Sequence, residues 1–327
     1  MSLLLLIVVV IIIVALTVGL YEKSTNAICT SKKRLDGKTA IVTGGTTGMG
    51  LQIATDFADR GARVIIACPF KNEGVDALKY ISDKTSNTDV VFKMLDLSSI
   101  TSIREFATDV LNNEKRLDIL MNNAGVGAVR EFITDDGMSF IMQVNYFGQF
   151  LLTLLLLPLL NKTGTTSDPA RIVNTSSVLH NFGFINIHKI NDLRYWFPVQ
   201  FYANSKLSVM LFAHELTKRL KRNNVVVNCV DPGMVGTGIF RSVGNILGGV
   251  LTMIGFVLFK TPWLGAQTAI HVALDKKAGE ISGQLFKNCK LTRAKRSAYN
   301  DEIAGELWNI STSLVGLSSE AMEKCFQ

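Results

Sequence analysis

The feature that most constrains the fold is a glycine-rich turn between a strand pattern and a helix pattern. Thr39–Val42 has the β-branched composition of a buried strand, and Met49–Arg60 has apolar residues at helical spacing. Between them the chain reads Thr43-Gly44-Gly45-Thr46-Thr47-Gly48-Met49-Gly50. Glycines here let the backbone approach a pyrophosphate at the positive end of a helix. Taken alone, the turn also fits a tight strand-to-helix connection without a ligand.

Further β-branched runs alternate with helical patterns along the rest of the chain. The predicted strands are Thr39–Val42, Arg63–Ala67, Val90–Met94, Asp118–Met121, Arg171–Asn174, Asn224–Val230 and Gln284–Phe286. The predicted helices include Met49–Arg60, Ser102–Asn112, Gly137–Leu157, Gln200–Arg222 and Leu264–Leu274. This order predicts an α/β fold with one doubly wound, seven-stranded parallel sheet. The leucine-rich part, Phe147–Leu160, is interrupted by Pro158, and we expect a buried core helix there.

Polar residues follow two more predicted strands, at the edge where such sheets bind ligands. Asp96-Leu97 follows the third strand, where a carboxylate could reach an adenine, and Asn122-Asn123-Ala124-Gly125 ends the fourth. With the glycine-rich turn, these segments predict a nucleotide site. Its residues are Thr43, Gly44, Thr46, Thr47, Gly48, Met49, Gly50, Asp96, Leu97, Asn123, Ala124 and Gly125.

Tyr202 and Lys206 form a candidate acid/base pair. They are four residues apart on a predicted helix, which places them on one face. Free tyrosine titrates near 10, so acid/base work at pH 7 requires a lower pKa, a change equivalent to roughly 4 kcal/mol. A nearby cation favours the phenolate and so lowers the pKa of the phenol. The spacing predicts that Tyr202 is the acid/base and Lys206 its electrostatic partner, although the spacing alone also occurs by chance.

Taken in order, these motifs resemble the short-chain dehydrogenase/reductase superfamily. They are T-G-x-x-x-G-x-G, D-L, N-N-A-G, a serine, Y-x-x-x-K and P-G, and the resemblance covers about Gly37 to the C-terminus. Several segments are also similar to the membrane-bound retinol dehydrogenases: Arg171–Val178, the insertion before Tyr202, Gly265–Thr268, Lys287–Cys289 and Leu307–Asn309. The resemblance implies a Rossmann-type fold and hydride exchange between a nicotinamide dinucleotide and a lipophilic substrate.

The resemblance implies a primary alcohol or aldehyde as substrate, with retinol or retinal first. A steroid or another lipid ketone or alcohol is the alternative from the same chemistry, because sequence does not give the width of the pocket. The alternative from another functional class is a noncatalytic membrane protein that senses the NADP(H) ratio. Replacing Tyr202 with Phe would distinguish that sensor from an enzyme.

The resemblance also implies the roles of individual residues. A catalytic tetrad of Ser177, Tyr202, Lys206 and Asn145 is expected. Ser177 would hydrogen-bond the reacting oxygen, Lys206 would also hold the nicotinamide ribose, and Asn145 would hold a water linking Lys206 to solvent. Strand alternation sends the neighbouring Ser176 to the other face. The nicotinamide would lie against Pro232, Gly233, Val235 and Thr237, although Asp231-Pro232-Gly233 also fits a plain turn.

The choice of cofactor depends on the end of the second strand. A carboxylate there would bind the ribose 2′-hydroxyl of NAD, whereas a cation would bind the 2′-phosphate of NADP. The chain reads Ala67-Cys68-Pro69-Phe70-Lys71, without an acid. Lys71 supplies a single positive charge, without the bidentate geometry of arginine. We expect NADP(H), with NAD(H) as the alternative.

The N-terminus has the composition of a membrane span. Leu3–Val18 is apolar except for Thr17, and the run approaches the roughly 20 residues that cross a bilayer. Lysine and arginine occur only after it, so the positive-inside rule places the body of the chain in the cytosol. We therefore expect an anchor at 1–21, a polar linker at 22–36 and the dehydrogenase domain at 37–327, on the endoplasmic reticulum membrane. The sequons at Asn161, Asn174 and Asn309 would remain unused.

The composition of the chain indicates which compartment and which binding partners to expect. The five cysteines have no C-x-x-C pair, which indicates a reducing compartment, and the four histidines lack metal spacing, so no metal is expected. The net charge of +7 comes without a long basic block, which disfavours nucleic acid and favours anionic lipid. Ile246–Phe259 is uncharged and fits either buried core or, as we prefer, a substrate lid that touches the bilayer. The sequence leaves the oligomeric state open; the resemblance implies that a homodimer would form through the helices around Gly137–Leu157 and Gln200–Arg222.

Overall fold

The computed structural model of the 327-residue chain describes residues 24–127, 129–220, 224–236 and 259–326, together with Thr17, Gly19 and Tyr21. Most of the predicted anchor, Thr237 and all of the predicted lid Ile246–Phe259 except its last residue therefore lie outside the described residues.

A single twisted sheet organises the described residues. Its strands are β1 Thr39–Thr43, β2 Arg63–Cys68, β3 Val90–Met94, β4 Ile119–Asn122, β5 Ala170–Thr175, β6 Val225–Asp231, β7 Leu285–Lys287 and β8 Lys290–Thr292. Their spatial order is β3-β2-β1-β4-β5-β6-β7-β8, and the first seven pair in parallel. This confirms the doubly wound sheet. The order reverses between β1 and β4, which is where such sheets bind ligands.

The eighth strand is the difference from the predicted seven-stranded parallel sheet. β8 pairs with β7 in antiparallel orientation. Asn288 and Cys289 connect the two strands, with φ values of 49° and 55°. Two positive φ values in a two-residue loop are typical of a tight hairpin turn. The sequence did not predict β8 because three residues are too few to show an alternating pattern.

Eight α-helices flank the sheet within the described residues: α1 Gly48–Asp59, α2 Lys71–Thr85, α3 Ile100–Asn113, α4 Phe140–Thr163, α5 Pro198–Arg219, α6 Pro262–Leu274, α7 Asp301–Leu314 and α8 Ser319–Cys325. Side chains of α1, α2 and α6 form one apolar core with the sheet, and those of α3, α4, α5, α7 and α8 form the other. Strands β1, β4, β5 and β6 are buried along their whole length. Helices on both faces explain why these strands are almost continuously apolar.

Helix α4 is long and apolar enough to cross a membrane, but 89% of its most apolar window is buried inside the fold. This confirms the predicted core helix. Within it, Gln143–Phe147 forms a π-helical segment that contains Asn145. Such segments are often found at functional sites.

The predicted polar linker packs against the domain. Leu35 is buried, and its N–H donates to the carbonyl of Arg60. The Arg60 guanidinium in turn donates to the carbonyl oxygens of Ser31 and Lys33. The backbone N–H of Cys29 also donates to the side chain of Gln267 on α6. Residues 29–36 are therefore held against α1 and α6 and do not form a free tether.

Candidate active site

The glycine-rich turn and the N-N-A-G segment are locked together. Gly44 has φ +61°, and a Cβ on it would lie 3.0 Å from the Cα of Ala124. A Cβ on Gly50 would overlap the carbonyl oxygen of Gly44. Between the two segments, the hydroxyl of Thr43 accepts hydrogen bonds from the backbone N–H groups of Asn123 and Ala124, each at 3.0 Å. Close packing of backbone on backbone therefore explains why glycine stands at 44 and 50.

The start of α1 fits a pyrophosphate. Thr47 precedes the helix in an extended conformation, and its side chain makes no capping hydrogen bond to the first turn. Gly48, with φ +55°, is the first helical residue. The first N–H groups of a helix carry partial positive charge and attract anions. The small residues of the turn and this helix end are therefore compatible with a dinucleotide phosphate.

The other predicted nucleotide residues lie along the same edge of the sheet. The Asp96 carboxylate accepts hydrogen bonds from the N–H and hydroxyl of Ser98, at 2.8 and 2.6 Å, which fixes the loop after β3. Leu97 is buried and packs in the core with α4. A Cβ on Gly125 would face Asn145 Oδ1 at 3.2 Å and Lys206 Nζ at 3.5 Å. Gly125 thus lies between the nucleotide edge and the acid/base pair.

The segment after β6 lies at the same carboxyl edge of the sheet, on the side away from β3. Gly233, with φ +77°, donates its N–H to the Asp231 carboxylate at 3.0 Å, and Pro232 is half-buried. Met49 and Val235 converge above Gly265, where a Cβ would lie 2.8 Å from the sulfur of Met49 and 2.6 Å from Val235 Cγ2. The structure thus brings Met49, Pro232, Gly233 and Val235 to one end of the sheet, whereas Thr237 lies outside the described residues.

Beyond the end of β2 the structure places two charged residues near the turn: Lys71, which the sequence predicted, and Glu73, which it did not. Lys71 begins α2 and is exposed, as expected for a cation that binds a 2′-phosphate. Two residues later, the Glu73 carboxylate accepts a hydrogen bond from the Thr46 hydroxyl at 3.1 Å. An acid therefore lies beside the glycine-rich turn even though β2 does not end on one. In the sequence, the signal for Glu73 was that it lies in the first turn of a helix, where acidic side chains are favoured.

The predicted catalytic side chains meet at the start of α5. Lys206 Nζ lies 5.6 Å from the centre of the Tyr202 ring and donates a hydrogen bond to the carbonyl of Thr175 at 2.9 Å. The Ser177 side chain is close enough to the Tyr202 hydroxyl to lower its pKa. Ser177, Tyr202 and Lys206 therefore converge beyond the end of β5.

Burial shifts the pKa of both titrating groups toward their neutral forms. It lowers the pKa of Lys206 to about 8. Burial also raises the pKa of Tyr202, and the Ser177 side chain only partly opposes this. The expectation that Lys206 lowers the pKa of Tyr202 is therefore not met by the protein's own groups. Desolvation of the phenolate, reinforced by the negative charge of Asp231, outweighs the hydrogen bond from Ser177.

Asn145 connects three elements around this centre. Its Oδ1 accepts from the N–H of Val126 at 2.8 Å, and its Nδ2 donates to the carbonyl of Val126 at 2.9 Å. The same Nδ2 lies 3.1 Å from the hydroxyl of Ser205, which donates to the carbonyl of Tyr202. Asn145 thus fixes the loop after β4 against α5. A carbonyl oxygen has two lone pairs, so Oδ1 retains one for a water.

The structure separates the two candidate serines. The Ser176 hydroxyl is buried and donates to the backbone carbonyl of Lys206 at 3.1 Å, so it supports α5 from behind. Ser177 is half-buried, and its hydroxyl also accepts from the N–H of Leu179 at 3.2 Å. Behind it, His180 Nδ1 lies 2.6 Å from the carbonyl of Ser177. Burial lowers the pKa of His180, so the neutral imidazole donates to that carbonyl and fixes Ser177.

Comparisons with known proteins agree with this arrangement. A family model described as short chain dehydrogenase matches residues 38–246. Retinol dehydrogenase 11 of Mus musculus is 41% identical over 293 residues, covering 90% of this chain and 91% of the relative. Retinol dehydrogenase 13 of Homo sapiens is 38% identical over 305 residues, covering 92% and 91%.

Solved structures show the same fold. The RhlG/NADP active-site complex of Pseudomonas aeruginosa is 28% identical with a TM-score of 0.62, covering 78% of this chain and 95% of that one. L-Sorbose reductase from Gluconobacter frateurii, complexed with NADPH and L-sorbose, also has a TM-score of 0.62 and the same coverage. At 20% identity, that likeness concerns the fold alone.

Proposed function

The chain belongs to the short-chain dehydrogenase family, and from this premise we propose that it exchanges a hydride between NADP(H) and a lipophilic primary alcohol or aldehyde, retinol or retinal first. The observation that carries the proposal is the convergence of Ser177, Tyr202 and Lys206 beside the glycine-rich turn. The chain is an NAD(P)-dependent oxidoreductase, and the choices of NADP(H) and of a retinoid belong to the proposal.

The bound dinucleotide would supply the hydride from its nicotinamide C4. The phosphates would lie against the glycine-rich turn and the start of α1, and Lys206 would hold the nicotinamide ribose. During reduction, the Tyr202 hydroxyl donates its proton to the carbonyl oxygen of the substrate, and Ser177 donates a hydrogen bond to that oxygen. During oxidation the same proton returns to Tyr202. Asn145 would hold, through its free Oδ1 lone pair, the water that links Lys206 to solvent.

For the cofactor, we propose NADP(H) because Lys71 is exposed at the position where a 2′-phosphate would bind. Glu73 opposes this preference, since its carboxylate lies beside Thr46. Steady-state kcat/KM with NADPH and NADH tests the balance in three proteins: wild type, Lys71→Ala and Glu73→Gln. We expect the NADPH preference to fall in Lys71→Ala and to rise in Glu73→Gln. Equal or faster wild-type turnover with NADH at matched low concentration would refute the proposal.

For the substrate, the names of the relatives favour a retinoid, because they are retinol dehydrogenases matched along nine-tenths of both chains. A steroid or other lipid ketone is the second candidate. A turnover panel of all-trans-retinal, medium-chain aldehydes and a ketosteroid, each with both cofactors, distinguishes them. The retinal proposal fails if the ketosteroid has the higher kcat/KM.

For the location, we propose a single-pass N-terminal anchor in the endoplasmic reticulum membrane with the catalytic domain in the cytosol. The apolar run at Leu3–Val18, with lysine and arginine only after it, supports this. Asn309 is exposed on α7 and Asn161 is half-buried at the end of α4, so both sequons could be glycosylated in a lumenal domain. A mobility shift of the cellular protein on deglycosylation would therefore contradict the cytosolic orientation.

A further inference from the structure

Large aromatic side chains are exposed in the insertion between Ser177 and Tyr202. Phe197 is 81% exposed, Phe182 69%, Phe184 59% and Tyr195 51%. With the half-buried Trp196 they form what we call the aromatic rim. Isolated apolar side chains are common on protein surfaces, but a contiguous aromatic group is typical of an interaction site.

Three of the five rings of the aromatic rim contact one another. Trp196 packs on both sides, with ring centres 6.2 Å from Phe184 and 4.4 Å from Tyr195. The Asn204 side-chain oxygen accepts from the N–H of Phe184 at 2.8 Å and from the Gln200 amide, which also binds the carbonyl of Phe182. Two polar side chains of α5 thus fix the rim to the helix that carries Tyr202. The rim therefore borders the candidate active site.

A strongly basic segment, 287–296, adjoins the aromatic rim. Its ten residues contain five cations and no acid: Lys287, Lys290, Arg293, Lys295 and Arg296. Lys290, Arg293 and Arg296 are exposed. Lys295 donates to the carbonyl oxygens of Asn181 and Gly183, at 3.1 and 2.6 Å, on either side of Phe182. The basic segment and the aromatic rim are thus neighbours on one surface.

We propose that the aromatic rim and the basic segment together dock on the headgroup region of an anionic bilayer. Tryptophan and tyrosine are enriched at the membrane–water interface, where their rings lie among the headgroups. Lysine and arginine next to them gain from the negative surface potential of the cytosolic leaflet. A second copy of this chain is the weaker candidate, because an isologous contact would bring the exposed cations Lys290, Arg293 and Arg296 of one copy against the same three of the other.

The contact would place the entrance of the active site at the lipid surface. This inference does not depend on which substrate is used, since it concerns only the surface around Ser177 and Tyr202. A lipophilic substrate could then reach the site without crossing bulk water. The N-terminal apolar run would keep the full chain at the bilayer, so the docking contact itself can be weak.

The test uses the full chain in bilayers of phosphatidylcholine with phosphatidylserine. A tryptophan is introduced by Phe197→Trp in the rim and, as the matched control, by Tyr80→Trp on α2, where the native ring is 39% exposed. Emission is compared in normal lipids and in lipids brominated near the headgroup, after subtracting the wild-type signal. We expect brominated lipid to remove most of the emission added by Phe197→Trp and little of that added by Tyr80→Trp.

The electrostatic part is tested by adding Lys290→Glu, Arg293→Glu and Arg296→Glu to Phe197→Trp. Each cation near an anionic membrane contributes about fivefold to the association constant, so their reversal should largely abolish the quenching. Circular dichroism checks that the variant is folded. The proposal is refuted if Phe197→Trp is not quenched, if both probes are quenched equally, or if the charge reversals change nothing. Cross-linking into dimers without quenching would assign the surface to a second copy instead.

Discussion

The burial of Lys206 predicts how the free energy of unfolding depends on pH. Lys206 is 3% exposed, and burial lowers its pKa from the ordinary 10.5 to about 8. Burying the charged lysine therefore lowers the free energy of unfolding by about 3 kcal/mol at pH values below the pKa of both the folded and the unfolded chain. Lys206→Met keeps the unbranched chain up to the terminal nitrogen but removes this penalty. It also removes the hydrogen bond to the Thr175 carbonyl, whose loss costs about 1–3 kcal/mol, so the net change at pH 7 is small.

The pH dependence of the free energy of unfolding separates the cost of burying the Lys206 charge from the loss of its hydrogen bond. Between pH 8 and pH 10.5 the unfolded chain keeps the Lys206 proton that the folded chain has released. The unfolded state then binds more protons, so the free energy of unfolding rises with pH. Between pH 7 and pH 9 the wild type should gain about 1 kcal/mol relative to Lys206→Met. Other titrating groups are common to both proteins and cancel in the difference.

The assay is urea unfolding of the full chain in detergent micelles, without added dinucleotide, followed by tryptophan fluorescence at pH 7, 8 and 9. Lys218→Met is the matched control, because Lys218 lies on the same helix and is paired with Asp301 and Glu215 at the surface. Those partners raise the pKa of Lys218, so its removal should not change the slope between pH 7 and pH 9. If wild type and Lys206→Met keep a constant difference in unfolding free energy over this range, the reasoning about burial is wrong.

Three further predictions follow from single contacts. Tyr202→Phe should abolish turnover while retaining dinucleotide binding, which is measured by quenching of protein fluorescence. If the wild type itself shows no turnover and Tyr202→Phe keeps the biological activity of the wild type, the protein is a sensor instead. Gly50→Ala should weaken dinucleotide binding and lower the melting temperature, because its methyl group meets the Gly44 carbonyl, whereas Gly305→Ala on α7 has open space and should be neutral or stabilising. Burial raises the pKa of Cys289 to about 11, so iodoacetamide at pH 8 should modify it slowly in the folded protein and rapidly in urea; equal rates would contradict its burial.

The sequence predicted the features that depend on local pattern. The β-branched runs located seven strands, and the signal is clearest for β1, β4, β5 and β6, which are buried along their whole length. The glycine-rich turn predicted a connection between a strand and a helix, which the structure shows between β1 and α1. Helical spacing placed Tyr202 and Lys206 side by side. In each case the physical cause acts within a few residues along the chain.

Features that depend on packing between distant segments were not predicted. The contact of Glu73 with Thr46 requires α2 to dock against the glycine-rich turn, which no local pattern encodes. The anchoring of Phe184 by Asn204 joins the insertion to α5 across twenty residues. Spacing also says nothing about desolvation, which is why the direction of the Tyr202 pKa could not be read from the neighbouring lysine.

The two pKa shifts together bear on how the proposed reaction depends on pH. At pH 7 roughly nine-tenths of Lys206 is protonated, given its pKa of about 8, while burial keeps Tyr202 a neutral phenol. A neutral phenol is the form that donates a proton to a carbonyl oxygen, whereas alcohol oxidation requires the phenolate as base. Reduction should therefore be nearly independent of pH around neutrality, and oxidation should accelerate as pH rises from 7 to 9. Initial rates in both directions measure this, and an oxidation rate that stays flat over that range would show that Tyr202 is already ionised at pH 7.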